Sequence, residues 1–254
     1  MANGSETRGT LVLLHGSADT ERCWAGVMAR LPEWRCVAPS LVRQRGERRL
    51  EDAIGGGRAE GWGEDALDRD GEWLEALLER ERPVATIGHS YGALLTLHAL
   101  RRGAPVGRVA LFEPIAFGLV PDPDVVHAMM DGFFGALAEG RRREALRGLV
   151  DYWNGAGSLD ALPGPMADRL EAGLAHTAAE VLAGRRDETG PSDLERLRGA
   201  LILCGAESTA ESLAVSARLG EAAGGWRALA GAGHQFPRTH PEEVAAAVSA
   251  WLDA

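Results

Sequence analysis

The stretch that most constrains this chain is Gly88-His89-Ser90-Tyr91-Gly92. An apolar run, Val84-Ala85-Thr86-Ile87, leads into it after Pro83, and a helix-forming segment, residues 93–100, leaves it and closes at Arg101-Arg102-Gly103. A serine at this spacing between two glycines, entered from a strand and left by a helix, fits a sharp turn that thrusts the hydroxyl out of the backbone. Glycines two before and two after it let strand and helix pack closely beneath. The plain alternative is a strand-to-helix turn without chemistry, since a bare G-x-S-x-G says little in a chain with 33 glycines.

The same alternation runs along the chain. Residues 10–14 (Thr-Leu-Val-Leu-Leu) form a continuous apolar run, as a buried parallel strand does, and lead to the small-residue loop His15-Gly16-Ser17-Ala18-Asp19. Residues 21–31 read as a helix with Trp24, Val27, Met28 and Leu31 on one face, ended by Pro32, and residues 35–39 as a second strand. Residues 64–81 predict an amphipathic helix with Leu67, Trp73, Leu74, Leu77 and Leu78 inward. Further strands are expected at 109–112, 200–204 and 226–229, and further helices at 210–223 and 241–252. The expected class is α/β, with a mainly parallel sheet flanked by helices.

Two stretches depart from the alternation. Between 115 and 190 helical pieces fall at 124–139, 142–152 and 165–183, broken by prolines and glycines, with no strand-like run. The expected organisation is one core, 1–114 and 191–254, carrying a helical cap inserted over 115–190. Residues 40–63 are rich in arginine and glycine and include Gly55-Gly56-Gly57, so they read as a long loop over the sheet. Arg43, Arg45, Arg48 and Arg49 are then solvated, with an anionic substrate as the alternative.

A length of 254 residues suits one large domain with a substantial core. With 27 basic against 37 acidic residues the net charge is −10, which argues against nucleic acid as a partner and otherwise means solubility. No apolar run reaches the roughly 18 residues that a membrane span needs, and residues 1–9 are polar, without a secretory apolar region. Cys23, Cys36 and Cys204 lack metal-ligand spacing, and Cys36 and Cys204 lie in strand-like runs as buried thiols rather than a disulfide. The expectation is a cytoplasmic protein acting on a small molecule, with no metal, no cofactor and no membrane.

The candidate residues sit just after strand-like runs, at the edge where open α/β sheets bind ligands. The loop at His15 follows the first strand, Ser90 the elbow strand, Glu113 the next and His234 the last. A serine hydroxyl is protonated at neutral pH and needs a base within hydrogen-bond reach. His234, in Gly231-Ala232-Gly233-His234, is the histidine placed for that role. The others have structural readings: His89 packed in the elbow, His15 bracing its loop, His98, His127 and His176 on helices, and His240 at the surface before Pro241.

The motifs LVLLHGSA, CVAPSL, GHSYG, LFEP and GAGHQFP, in that order, cover nearly the whole chain and resemble the α/β-hydrolase superfamily. The resemblance implies a Ser–acid–His triad on Ser90 and His234, an oxyanion hole from the backbone N–H groups of Ser17 and Tyr91, and no cofactor. It leaves the acid open. Most of the superfamily carries an aspartate in a G-x-x-D pattern after the strand that ends here at Cys204, but this chain reads Gly205-Ala206-Glu207-Ser208. It is similar instead to the subset, haloalkane dehalogenases among them, whose acid follows the strand after the elbow, where Glu113 stands in Phe112-Glu113-Pro114. A carboxylate ending a buried strand is expensive without a partner. Glu207 is the alternative acid, and a strand-end Glu113 bonded to loop amides is the plain reading. Position 90 is serine, so the aspartate-nucleophile chemistry of dehalogenases and epoxide hydrolases is not expected. Ser40 stands where the family commonly has an aspartate.

In the cap, Met130, Phe133, Phe134 and Trp153, with Met129, Leu137 and Tyr152, are first of all cap core at helical spacing, with some expected to line an apolar acyl pocket. The implied activity is hydrolysis of a small to medium, hydrophobic carboxylic ester, lactone or thioester through an acyl-enzyme on Ser90. Acyl transfer, cyclisation or lyase chemistry on the same residues is the first alternative. A non-catalytic ligand-binding protein on this fold is the second.

Overall fold

The computed structural model describes residues 7–41 and 66–254. Of the arginine-rich loop expected at 40–63, residues 42–63 lie outside the described residues. Among the described residues six strands form one parallel sheet: β1 (Thr10–Leu14), β2 (Arg35–Val37), β3 (Ala85–His89), β4 (Arg108–Phe112), β5 (Leu201–Gly205) and β6 (Arg227–Leu229), in the order β2-β1-β3-β4-β5-β6. The chain runs outward from β1 to β2, and β3 then lies on the other side of β1. Such a reversal opens a crevice at the carboxyl ends of the two strands. The register aligns those ends, Leu14 against Gly88 and His89 against Phe112.

Side chains alternate across the sheet, as the strand period requires. Leu11 and Leu13 join a core with Trp24, Leu31, Phe236 and Val248, while Val12 and Leu14 join another with Leu74, Leu78, Leu94 and Leu95. The long helices of the core are α1 (Ala66–Glu81), α2 (Tyr91–Arg102), α7 (Ala210–Ala223) and α8 (Pro241–Leu252), with further helices between β4 and β5. Gly103, left-handed at φ 82°, closes α2. The expected helix at 21–31 is shorter: a 3₁₀ turn, Glu21–Trp24, passes into one α-helical turn, Ala25–Met28. The β strand expected at 35–39 stops at Val37, and Trp226 stands outside β6.

Among the described residues, the segment from β4 to β5 is helix and turn. It comprises α3 (Asp124–Ala138), α4 (Arg142–Asn154), α5 (Gly164–Ala172) and α6 (Leu174–Arg185), with short turns of helix between. The single helix expected at 165–183 is two, because Gly173, a weak helix former, ends α5 and precedes α6. The two ends of this segment are tied together. The Gly118 N–H donates to Asp187 Oδ2 (3.0 Å), and Arg101 at the end of α2 donates to Asp193 (3.1 Å) and Thr189 (3.2 Å). The buried apolar residues of α3 to α6, among them Met130, Leu146, Leu149 and Leu174, share one core with the inner face of α2.

One buried polar contact fixes α2 against α1: the Tyr91 hydroxyl donates to Asp70 Oδ2 at 2.7 Å. Tyr91→Phe removes a hydrogen bond to a buried carboxylate and is expected to cost about 1–3 kcal/mol. At roughly 2–4 °C per kcal/mol for a chain of this size, the melting temperature of the variant should fall by several degrees. An unchanged melting curve would show that the contact contributes nothing. No helix among the described residues is long and apolar enough to cross a membrane.

Candidate active site

The elbow is built by close approach. A β-carbon on Gly88 would lie 2.4 Å from the Gly92 carbonyl oxygen and 2.5 Å from Ala93 Cα, and one on Gly92 would lie 2.4 Å from the Leu14 carbonyl oxygen. Strand and helix therefore meet at a distance only glycine permits. Ser90 takes φ 53° and ψ −117° between them. Four non-glycine residues among those described have positive φ, and three of them, Ala18, Ser90 and Glu113, lie in the loops after β1, β3 and β4. Such strain persists only where the surroundings hold it, and it gathers at functional sites. The hold here is the sheet itself. The Ser90 N–H donates to the Phe112 carbonyl (2.9 Å) and the Glu113 N–H to the Leu203 carbonyl (3.1 Å), so both residues remain on the ladder beyond their strands.

The loop after β1 lies against the serine. A β-carbon on Gly16 would stand 2.8 Å from Ser90 Cβ and 3.3 Å from Ser90 Oγ. His15 is fully buried; its Nε2 accepts from the Leu41 N–H (3.0 Å), so the proton is on Nδ1, which donates to the Gly16 carbonyl (2.8 Å). Asp19 pairs with Arg238, in the turn Phe236–Thr239 just past His234, and this joins the first loop to the last. Ser17 is half-buried in the braced loop, and Tyr91 is the first residue of α2, at the positive end of its dipole.

The acid that meets His234 is Glu113. His234 Nδ1 donates to Glu113 Oε2 at 2.6 Å, with both side chains buried. The other oxygen, Oε1, gathers the Gly205 N–H (2.7 Å), the Ser208 hydroxyl (2.5 Å) and the Cys204 thiol (3.4 Å). Burial by itself raises the carboxyl pKa, but the charge and hydrogen bond of His234, with those of Ser208 and Gly205, outweigh it and hold Glu113 at about 2. The group is thus a carboxylate, 1% exposed, whose desolvation is offset by four donors. Burial and the neighbouring carboxylate push the Cys204 thiol well up, so it stays protonated. Cys204 and Cys23 are buried and Cys36 is half-buried, all three as free thiols. Glu207, the other candidate acid, is exposed; its N–H is drawn inward to the Ala232 carbonyl (2.9 Å).

His89 is buried beside the serine, and its Nε2 donates to the His234 carbonyl at 2.9 Å. Burial first, then the proximity of His234, lowers its pKa to about 3, so it is a neutral brace for the last loop. The His234 ring stacks with Trp153, centroids 4.6 Å apart and planes at 25°. Of the four apolar residues expected at a pocket, Trp153 is thus at His234 itself. Met130 and Phe133 are buried in the core of the helical segment, and Phe134 is half-buried, edge-on to Phe133. Among the described residues no group of three or more His, Cys, Asp or Glu side chains is placed to hold a metal ion. The roles of Ser208 and Cys204 as partners of the acid escaped the sequence reading. The only signal was that Ser208 occupies the position where the family's acid is common.

The chain belongs to the alpha/beta hydrolase family, whose sequence model matches residues 11–247. Solved structures agree in fold. An alpha/beta hydrolase from Sphaerobacter thermophilus matches at TM-score 0.65 and 23% identity, covering 97% of this chain and 93% of the other. An esterase from Exiguobacterium antarcticum matches at 0.67 and 15%, covering 98% and 94%. The RedJ thioesterase of the prodiginine pathway in Streptomyces coelicolor matches at 0.62 and 20%, covering 100% and 96%. A search of curated protein sequences finds no match.

Proposed function

We propose that the protein is a serine hydrolase that cleaves small to medium, hydrophobic carboxylic esters, or the related lactones and thioesters, through an acyl-enzyme on Ser90. The observation that carries this reading is the 2.6 Å contact of His234 Nδ1 with the Glu113 carboxylate, linked to the elbow by the bond from His89, next to a serine held at φ 53°, to the His234 carbonyl. With Nδ1 engaged, Nε2 is the nitrogen left to take the Ser90 proton as Oγ attacks the carbonyl carbon. The oxyanion that forms is received by the backbone N–H groups of Tyr91, at the start of α2, and Ser17, in the braced loop. The imidazolium then protonates the leaving alcohol or thiol. Water, activated by the same nitrogen, releases the acid and restores Ser90. The helical segment 115–190 acts as the cap, and the apolar side chains of its helices favour apolar acyl groups. The esterase and thioesterase among the similar structures fit this chemistry, at identities that speak for the fold alone.

A fluorophosphonate probe tests the reading directly. The expected result is one adduct on the peptide that contains Ser90, with faster turnover of neutral than of charged p-nitrophenyl esters. No adduct at Ser90 would leave a ligand-binding protein on a hydrolase fold. Product analysis with an added alcohol or amine separates hydrolysis from acyl transfer, and a free acid as the main product is expected.

A further inference from the structure

The imidazole of His234 meets three different parts of the chain. Glu113 takes its edge at Nδ1. His89, from the elbow, lies tilted against it, with ring centroids 4.8 Å apart and planes at 42°. Trp153, near the end of α4, stacks on it with centroids 4.6 Å apart and planes at 25°. Trp153 in turn lies nearly parallel to Phe117 (6.1 Å, 11°). The indole is therefore engaged by two rings of the protein itself. The end of α4 is also fastened to the core. The Tyr152 hydroxyl donates to Glu211 Oε2 at 3.1 Å, in the first turn of α7, three residues beyond the Ser208 that holds Glu113.

We propose that Trp153 is a positioning residue of the base rather than a wall of the substrate pocket. It presses the His234 ring into the plane in which Nδ1 meets Glu113 and Nε2 can serve Ser90. The proposal rests on reading Ser90 and His234 as nucleophile and base. A single edge contact leaves an imidazole free to tilt about its Cβ–Cγ bond, and a stacked indole restricts that freedom. The indole face also favours the imidazolium that forms as Ser90 loses its proton, because a ring's π-face attracts a cation. His89, neutral and tilted against the same imidazole, adds contact without opposing charge. The helical segment between β4 and β5 thereby enters the chemistry through one side chain. Tyr152–Glu211 keeps that side chain in place.

The test uses Trp153→Leu, Trp153→Phe and Tyr152→Phe with p-nitrophenyl acetate, an ester too short to reach a distant pocket wall. Trp153→Leu is expected to lower kcat about 10-fold or more with KM little changed, as for a misplaced catalytic group. Trp153→Phe, which keeps a ring on the imidazole, recovers most of the loss. Tyr152→Phe loses less, in the same sense. Proton NMR supplies a signature independent of substrate. The low-field Nδ1–H resonance of the His234–Glu113 pair, identified by its loss in His234→Ala, should broaden in Trp153→Leu and return in Trp153→Phe. A raised KM with unchanged kcat would make Trp153 a pocket wall and overturn the proposal, as would a higher kcat. The fluorophosphonate rate separates the two levels of failure. An unlabelled wild-type protein defeats the reading of Ser90 itself, whereas equal labelling of wild type and Trp153→Leu defeats only the role of Trp153.

Discussion

Alanine at position 90 is expected to reduce ester turnover by roughly 10⁵-fold or more, to the level left by binding and the oxyanion donors alone. The size follows from what the substitution removes. In the proposed mechanism Ser90 supplies the attacking oxygen, and without it His234 has no proton to take and no covalent intermediate can form. The substitution removes little else. Alanine keeps the β-carbon that packs against Gly16, and it leaves untouched the backbone bonds from Ser90 to Phe112, Ala93 and Leu94. The left-handed φ is the same strain for either residue, so the melting temperature should stay level or rise, as is common when a polar active-site group is deleted. Turnover rates and melting curves on the same preparations check both halves. A variant that keeps even about a tenth of wild-type turnover would remove Ser90 from the mechanism. A variant that loses activity and melts far below wild type would instead make the residue a fold element.

The elbow was legible in the sequence because its chemistry and its sterics coincide. The same glycines that define the pattern are those whose β-carbons would strike Gly92, Ala93 and Leu14. The four central strands, β1, β3, β4 and β5, were legible for a related reason: a strand buried on both faces is a near-continuous apolar run, as in Leu11 to Leu14, and the register then follows from parallel pairing. Other features depend on contacts between distant segments, and no local pattern encodes them. Ser208 looks in sequence like a vacated acid position, yet in space its hydroxyl donates to the Glu113 carboxylate one strand away. Asp70 sits among the charged residues of α1, yet it is buried and accepts the hydroxyl of Tyr91 from α2. Trp153 reads as one more apolar side chain of a helix. Its place over His234 depends on α4 running on to Asn154 and on the path of the chain between β4 and β5. Gly173 shows the opposite error, since a single helical rhythm at 165–183 hides a break that one glycine is enough to make.

Glutamine at position 113 should cost about 10²-fold or more in kcat, whereas glutamine at 207 should change it less than about twofold, as for an exposed residue away from the reacting groups. The argument is one of donors and acceptors. The carboxylate of Glu113 accepts at both oxygens: Oε2 from His234, and Oε1 from the Gly205 N–H and the Ser208 hydroxyl. A glutamine has one acceptor and one NH₂ group, so one of the two sides must lose. If the NH₂ faces His234, it turns Nδ1 into an acceptor and moves the ring proton to Nε2, which can then no longer take the proton of Ser90. If it faces Gly205 and Ser208, it sets donor against donor in a buried site and breaks the hold on the side chain. Either outcome costs activity, and neither leaves a negative charge for the imidazolium. Glu207 has no such arrangement around it; its backbone N–H is what the fold uses, on the Ala232 carbonyl. The same pair makes a claim about stability. Glu113 is held at about 2 in the folded chain against an ordinary 4.5, so its stabilising contribution is complete above pH 4.5 and is lost as pH falls through about 2. Wild type should therefore melt above Glu113→Gln at neutral pH, and the gap should close as the pH is lowered across that window. Equal activity losses at 113 and 207, or a gap that widens in acid, would move the acid of this site elsewhere.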